Sequence, residues 1–464
     1  MTSMTTPFHL RQLISRCENE RIVIMGAARS GLAAAEVLAM HGADVVLADD
    51  NASAVPQGIE LHPCIDNSLL KDTKLIVLSP GIPRKHPTLV EAVRLGIPIV
   101  NEMDVAQVFL PATIFAGVTG TNGKSTTTSM LGSIFKAHTG RVFVGGNLGL
   151  PLSKACLKNE KPTHAVVELS SFQLETLSLL ELDAAIITNL APDHLDRYDG
   201  VEGYYRAKAR IIKLIKPGKN LVLNAADPPL MALANEFSQG AIQFNFNTGP
   251  NESGVRLEGD EAVISRHGQE MRISLKSPKI VGRHNRENAA AAIAAAITIG
   301  VDLAAIQRGI DQYPGIVHRL EVLGQINGVT WVNDSKGTNV HAAMVGIGSF
   351  DKGVHLLAGG RGKGEDFGPL ADACKGRVEG IYLFGETKEE LKAALHDVAP
   401  VYEFADMKSA VEMARKNAVP GDVILLCPAC TSFDQFLNFE ERGERFRDEF
   451  RKAAAAHAAE TSGS

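Results

Sequence analysis

The chain is poor in aromatic residues, with one Trp, six Tyr and eighteen Phe among 464 residues, so its 45% hydrophobic content comes mostly from small aliphatic side chains. That composition fits an ordinary soluble protein. No basic block is present: 47 Lys and Arg stand against 53 Asp and Glu, a formal net charge of −6. The electrostatic footprint of a nucleic-acid binder is therefore missing, and any phosphate contact must be local. A disulfide framework is missing too. Cys17, Cys64, Cys156, Cys374, Cys427 and Cys430 are scattered apart from one CPAC, a usage that fits a reducing compartment, with the cytoplasm as default. Long apolar runs are absent: the longest, residues 289–300, is too short and too Ala-rich to span a bilayer and reads as a buried helix. The opening MTSMTTPFHLRQL has no apolar h-region, so neither a signal peptide nor a membrane partner is expected.

The length suggests about three domains, each large enough to bury its own core. From Arg21, RIVIMGAARSGLAAAEVLAMHGADVVLADD reads as strand, Gly-containing turn, Ala-rich helix and second strand, a βαβ unit closing on Asp49 and Asp50. KLIVLSPGIP and IPIVNE extend it, so residues 1–110 read as a Rossmann-like parallel sheet. Residues 111–315 hold a second α/β series, from TIFAGVTGTNGKSTTTSML to NRENAAAAIAAAITIG, with alternating polar and apolar residues at about 240–280 that predict a small antiparallel sheet. Residues 316–464 hold a third α/β series with strands GVTWVNDS, GVHLLAGG, GIYLFG and DVILLCP. The tail AAAAHAAETSGS reads as a frayed helix end or as disordered.

The strongest local motif is GTNGKST: Gly120, Thr121, Asn122, Gly123, Lys124, Ser125 and Thr126, directly after an apolar strand and before a helix. Backbone amides of such a loop face phosphate oxygens, Lys124 reaches the terminal phosphates and Ser125 can ligate Mg²⁺. Val118 stands where the strict P-loop pattern has its first glycine, and an ordinary Gly-Lys turn is the alternative. GAARSG is a degenerate dinucleotide fingerprint with Ala28 at its middle glycine, for which a structural βα turn and a binding site are equally good readings. Glu168 and His194 close strands, where open α/β sheets gather ligands, and both suit Mg²⁺ or Mn²⁺ beside a nucleotide. Structural roles account for them as well, and a solvated turn accounts for His318, Arg319 and NDSKGTN. CPAC lacks the second pair that a zinc site needs.

Taken together, GTNGKST, ELSSFQLE, NLAPDHLDRY, YRAKARI, GRHNRENAAAA, HRLE, NDSKGTN, LLAGGRGKGEDF and CPACTSFDQFLNFEERG resemble the Mur ligase family, in order, from about residue 21 to 450. The resemblance implies an ATP-dependent amide-bond ligase of peptidoglycan synthesis. It implies an N-terminal domain for the UDP moiety, a central ATPase and a C-terminal domain that brings the amino acid. UDP-N-acetylmuramoyl-L-alanine and D-glutamate are the implied substrates, joined through an acyl phosphate, with the protein working as a monomer.

Residue by residue, the resemblance puts 120–126 on the ATP phosphates, Asn285 and Asn288 near adenine, and Arg319 and Asp334 in the nucleotide site. Ser125, Glu168, His194 and Lys208 match positions for two magnesium ions, with Lys208 carbamylated so that it offers an anionic oxygen. Lys124, His194 and Lys208 are the implied catalytic residues, His194 as candidate base. Asn147 and Ser170 match contacts to the muramoyl part, and Arg29, Ser30, Asp49, Asp50 and Gly81 match the UDP contacts. Lys336, Thr338, Lys363, Ser432 and Phe439 match the D-glutamate positions. Two departures are Cys427, where the family more often has serine, and Arg29, where an apolar residue is common. The competing expectations are another ligase of the same fold, such as the L-alanine-adding or folate enzyme, and an NAD(P)-binding module built on GAARSG.

Overall fold

The computed structural model describes residues 6–51, 55–193, 198–237, 240–250, 252–277 and 279–462. The chain divides into two compact units, one of Met1–Leu275 with Glu287–Tyr313 and one of Lys276–Arg286 with Pro314–Ser464.

The first unit opens with β1 (Arg21–Met25), β2 (Asp44–Ala48), β3 (Glu60–His62), β4 (Leu75–Leu78) and β5 (Ile99–Val100), all parallel in the order β3-β2-β1-β4-β5. Apart from Arg21, β1 is buried along its length, as a β-branched run covered on both faces should be. Gly31 lets the helix Arg29–Met40 start tight on β1, since a Cβ there would lie 1.9 Å from the Gly26 carbonyl oxygen. The second sheet comprises β6 (Ile114–Thr119), β7 (Val142–Gly146), β8 (His164–Glu168), β9 (Leu182–Ile187), β10 (Ile215–Leu223) and β11 (Ile242–Gln243). Its order is β11-β10-β9-β6-β8-β7, again parallel. β6 therefore lies between β8 and β9, where the loops at the carboxyl ends of three strands converge. The antiparallel sheet predicted from the 240–280 alternation is β12 (Gly254–Glu258), β13 (Glu261–Arg266) and β14 (Gln269–Ser274). The Ala-rich run forms the helix Gly282–Ile299, buried from Ala289 to Ile297.

The helix Glu102–Val108 follows the first sheet, and its acidic side chains are buried rather than solvated. Glu102 Oε1 accepts from the Ser153 amide at 2.5 Å. Asp104 Oδ1 accepts from the amides of Leu179 and Leu180 at 2.7 and 2.9 Å. Gln107 bonds both backbone groups of Glu181. Two sheets of the first unit are thus joined through side chains that satisfy otherwise orphaned backbone amides.

The second unit holds β15 (Glu321–Ile326), β16 (Val329–Asn333), β17 (Val354–Gly359), β18 (Val378–Phe384), β19 (Val401–Glu403) and β20 (Val423–Leu426). The order is β15-β16-β20-β17-β18-β19, with only β15 antiparallel. Trp331, Tyr382, Phe384 and Phe446 fill one face of its core. The tail helix runs Phe439–Ser462, so the Ala-rich end is helical rather than disordered, as the high helix propensity of alanine favours. Among the described residues no helix is long and apolar enough to cross a membrane.

Candidate active site

At the carboxyl end of β6 the chain turns through Gly120, whose φ of +143° and position against Thr188 exclude any side chain: a Cβ would lie 1.9 Å from Thr188 Oγ1. Val118, in the place of the P-loop's first glycine, is a buried strand residue and takes no part in the turn. Gly123, at φ +78°, precedes the helix Lys124–Thr139 and packs against Asn288, whose Oδ1 a Cβ would approach to 2.2 Å. Between the glycines the loop is pinned from outside. Thr121 N donates to Asn189 O at 3.0 Å, Asn122 N to Asn189 Oδ1 at 2.9 Å, and Thr188 Oγ1 to Asn122 O at 2.5 Å. Gly123 offers no side-chain cap, which leaves the first-turn amides, with their partial positive charge, at the loop mouth. Lys124 Nζ lies over the same mouth, 3.0 Å from Gly120 O and 2.8 Å from Thr121 O.

Around this loop the fold collects the other candidates of the central series. Glu168, at the end of β8, is 2% exposed; Oε1 accepts from Asn147 Nδ2 at 2.7 Å, whereas Oε2 is buried without a hydrogen-bond partner among the described residues. An orphaned buried carboxylate oxygen is costly unless a cation or donor meets it. Lys208, on the helix Gly200–Ala209, is 1% exposed and donates to Gly120 O at 2.7 Å, with its Nζ 4.5 Å from the Tyr204 ring centroid. Burial, then the neighbouring charge of Lys124, pushes the Lys208 amine well below the usual lysine range, against the opposite pull of Asp193 and Glu168. Ser125 lies buried in the first turn of the loop helix. An oxygen-rich, anionic and partly unsatisfied donor set fits a hard divalent cation. His194 lies outside the described residues. Ser170 caps the helix Ser171–Leu174 in a capping box with Gln173, so its hydroxyl has a structural task as well. Asn288 Oδ1 accepts from Thr127 Oγ1 at 3.4 Å in the first unit, while Asn285, in the second, donates to Val281 O at 2.9 Å.

The candidates at the first sheet form a separate group. Asp49 accepts from Ala27 N at 2.7 Å and from Asn51 N at 2.8 Å, and Asp50 from Ile65 N at 2.9 Å, so both carboxylates organise the loops at the strand ends. Arg29 is exposed and donates to Gly149 O at 3.1 Å; Ser30 is half-buried and Gly81 exposed.

In the second unit, Asp334 is 5% exposed at the end of β16, and burial lifts its carboxyl to about 6 against the pull of Arg319. It accepts from Leu320 N at 3.1 Å and from the Cys427 thiol at 3.3 Å, the bond that a serine hydroxyl would make more strongly. His318, at φ +62°, donates its amide to Glu321 and fixes the turn that carries Arg319. Lys336 Nζ lies 6.0 Å from the Phe439 ring centroid, Thr338 N donates to Lys336 O, Lys363 is exposed, and Ser432 is buried. Arg442 was not singled out from the sequence. Fully buried, it donates to Ser335 Oγ at 3.0 Å, Ser335 O at 2.9 Å, Cys430 O at 3.1 Å and Thr431 O at 3.2 Å. One guanidinium thereby ties together the loops after β16 and β20 that carry Lys336, Thr338 and Ser432. In the sequence, its only sign is an arginine within FEERG, which reads as a solvated helix face. Cys427 and Cys430 are buried, unbridged and engaged with different partners, Asp334 and Thr387.

Three family patterns match the chain in order: the Mur ligase MurD-like N-terminal domain over residues 20–101, the Mur ligase middle domain over 118–296, and the Mur ligase glutamate ligase domain over 318–430. The UDP-N-acetylmuramoylalanine--D-glutamate ligase of Anaeromyxobacter dehalogenans (strain 2CP-C) is 40% identical over 450 residues, covering 92% of this chain and 96% of the relative. That of Myxococcus xanthus (strain DK1622) is 39% identical over 443 residues, covering 92% and 97%. Among solved structures, the MurF ligase from Thermotoga maritima in complex with ADP aligns with a TM-score of 0.61 at 17% identity, over 96% of this chain and 99% of that one. The pseudomurein peptide ligase type C from Methanothermus fervidus aligns with a TM-score of 0.58 at 19% identity, over 94% and 100%. At such identities these two bear on the fold alone.

Proposed function

Because the chain belongs to the Mur ligase family, we propose that it is an ATP-dependent ligase that joins D-glutamate to UDP-N-acetylmuramoyl-L-alanine through an acyl phosphate. The observation that carries this reading is the Gly120–Lys124 phosphate loop with Lys208 and the half-satisfied Glu168 carboxylate gathered beside it. Identity of 40% to a D-glutamate ligase along nearly the whole chain supports the choice of amino acid. Residues 1–110 take the UDP moiety, 111–315 the ATP and 316–464 the amino acid. Free thiols at all six cysteines support a reducing, cytoplasmic setting.

The amides at the mouth of the helix Lys124–Thr139 and the Lys124 ammonium hold the triphosphate and stabilise charge on the γ-phosphoryl oxygens as transfer proceeds. The substrate carboxylate attacks the γ-phosphorus, and ADP leaves. The amine of D-glutamate then attacks the acyl carbon; phosphate leaves and the amine loses a proton, for which His194 is the candidate base by its place in the sequence. Ser125, Glu168 and a carbamylated Lys208, with His194, would hold two magnesium ions, which when bound neutralise phosphate charge. Lys336, Thr338, Lys363, Ser432 and Phe439 are assigned to D-glutamate, and the Arg442 guanidinium positions three of them through their loops.

The deciding assay follows phosphate release from ATP by the purified protein with Mg²⁺. Release is expected only when UDP-N-acetylmuramoyl-L-alanine and D-glutamate are both present. Equal turnover with L-alanine, glycine or L-lysine in place of D-glutamate removes the assignment.

A further inference from the structure

Three side chains with different donor atoms converge where β3 ends, in the segment His62-Pro63-Cys64-Ile65-Asp66. One donor atom from each of His62, Cys64 and Asp66 falls within 4.8 Å of the others. Cys64 Sγ is 3.8 Å from His62 Nδ1 and 3.0 Å from Asp66 Oδ2. Tetrahedral zinc, with bonds of about 2.3 Å to sulfur and about 2.0 Å to nitrogen or oxygen, sets neighbouring donors roughly 3.5 Å apart. Those two separations straddle that value, and the third, between His62 and Asp66, is no more than 4.8 Å.

The frame that presents these donors is fixed by other bonds. His62 is the last residue of β3, paired in register with Ala48, and its carbonyl accepts from Asp49 N at 3.3 Å. Ile65 N is held by Asp50 Oδ1 at 2.9 Å. Asp66 caps the short helix Asn67–Leu70, and its Oδ1 accepts from Ser68 N at 2.8 Å and Ser68 Oγ at 2.5 Å. The cap occupies one carboxylate oxygen and aims the other, Oδ2, at the thiol. Pinned donors lose little conformational freedom on binding, unlike a chance grouping of long surface side chains. His62 and Cys64 are half-buried and Asp66 is exposed, which leaves an entry path from solvent.

We propose that His62, Cys64 and Asp66 form a binding site for one thiol-seeking divalent transition ion, zinc in the first instance, with the fourth position left to water. A thiolate, an imidazole and one carboxylate oxygen select zinc over magnesium, which asks for six hard oxygen ligands. On binding, the Cys64 thiol gives up its proton to solvent and its sulfur bonds the metal. Binding through Nδ1 takes that nitrogen away from Cys64 O, 2.7 Å off in the unbound protein, so the His62 ring turns and carries its proton on Nε2, the nitrogen that lies 3.4 Å from Ser68 Oγ. The net change is one metal ion bound and one proton released. This site uses none of the residues assigned to magnesium.

The test is a titration of the full-length protein with Co²⁺, read as the near-ultraviolet thiolate-to-cobalt charge-transfer band and the visible bands of tetrahedral cobalt. The other five cysteines are buried, and an oxygen-lined magnesium site gives no thiolate band, so the signal reports Cys64. One equivalent is expected to saturate the band and added Zn²⁺ to bleach it. Cys64→Ser is expected to abolish it, and His62→Gln and Asp66→Asn, the latter keeping a capping oxygen, each to weaken cobalt binding by about tenfold or more. Absence of a one-equivalent band overturns the site, and so does a band that keeps full affinity in either of those two variants, which leaves a thiol that binds metal alone.

Discussion

A lysine amine combines with carbon dioxide only while it is neutral, giving a carbamate and releasing one proton. Lys208 is placed to meet that condition. Its surroundings exclude water, Lys124 adds like charge, and the amine loses its proton more readily than an exposed lysine does. The bland alternative is a buried lysine that only braces Gly120 O, a bond it does make. Replacement separates the two readings. Lys208→Ala is expected to lower turnover by at least about a hundredfold, with added bicarbonate giving no recovery, as for loss of a group that organises charge around a transferring phosphoryl. Protein incubated with ¹³C-labelled bicarbonate is expected to show one carbamate carbonyl signal in the NMR spectrum that the variant lacks. Turnover near the parent level, with the signal absent from both, leaves Lys208 a structural residue.

At the scale of elements, the turn between β6 and the helix Lys124–Thr139 depends on glycine twice, at Gly120 and, immediately before the helix, at Gly123. The Gly123 φ of +78° disfavours any side chain, and a Cβ would press on Asn288 Oδ1. Left-handed backbone at a non-glycine residue costs about 1–3 kcal/mol. Gly123→Ala is therefore expected to raise KM for ATP by roughly tenfold or more while circular dichroism stays unchanged. An unaltered KM means that the loop does not hold the nucleotide. This turn was legible in the sequence because strand, glycines, lysine and helix are consecutive, and local spacing carries them. Glu168 and Lys208 are forty residues apart in the chain, and only the resemblance joined them, since no periodicity encodes a meeting between a strand end and a later helix. The degenerate GAARSG turn left binding and structure equally open, and the geometry explains why: Asp49, the expected ribose acid, already bonds Ala27 and Asn51. Arg442 and the acids of NEMD were illegible for the same reason. A charged residue near a helix start reads as solvated until the fold supplies backbone partners for it.

For the whole molecule, the acids that join the first two sheets set a dependence on pH. Burial, the largest influence, raises the Glu102 carboxyl from 4.5 to about 7, and burial raises that of Asp104 in the same direction. A group whose folded pKa lies above its unfolded one binds more protons when folded. Its contribution is complete below about 4.5 and is lost as pH rises through about 7. For Glu102 the change is on the order of 3 kcal/mol. Glu102→Gln keeps an oxygen for the Ser153 amide and cannot ionise. In denaturant unfolding from about pH 5 to about pH 8, the variant is expected to gain on the parent steadily as pH rises. A constant difference across that range means that the acid is ionised throughout. The seam between the sheets is thus set by protons: mild acid tightens it and base loosens it. Alkaline conditions are accordingly expected to draw on this seam, where a buried carboxyl must give up its proton.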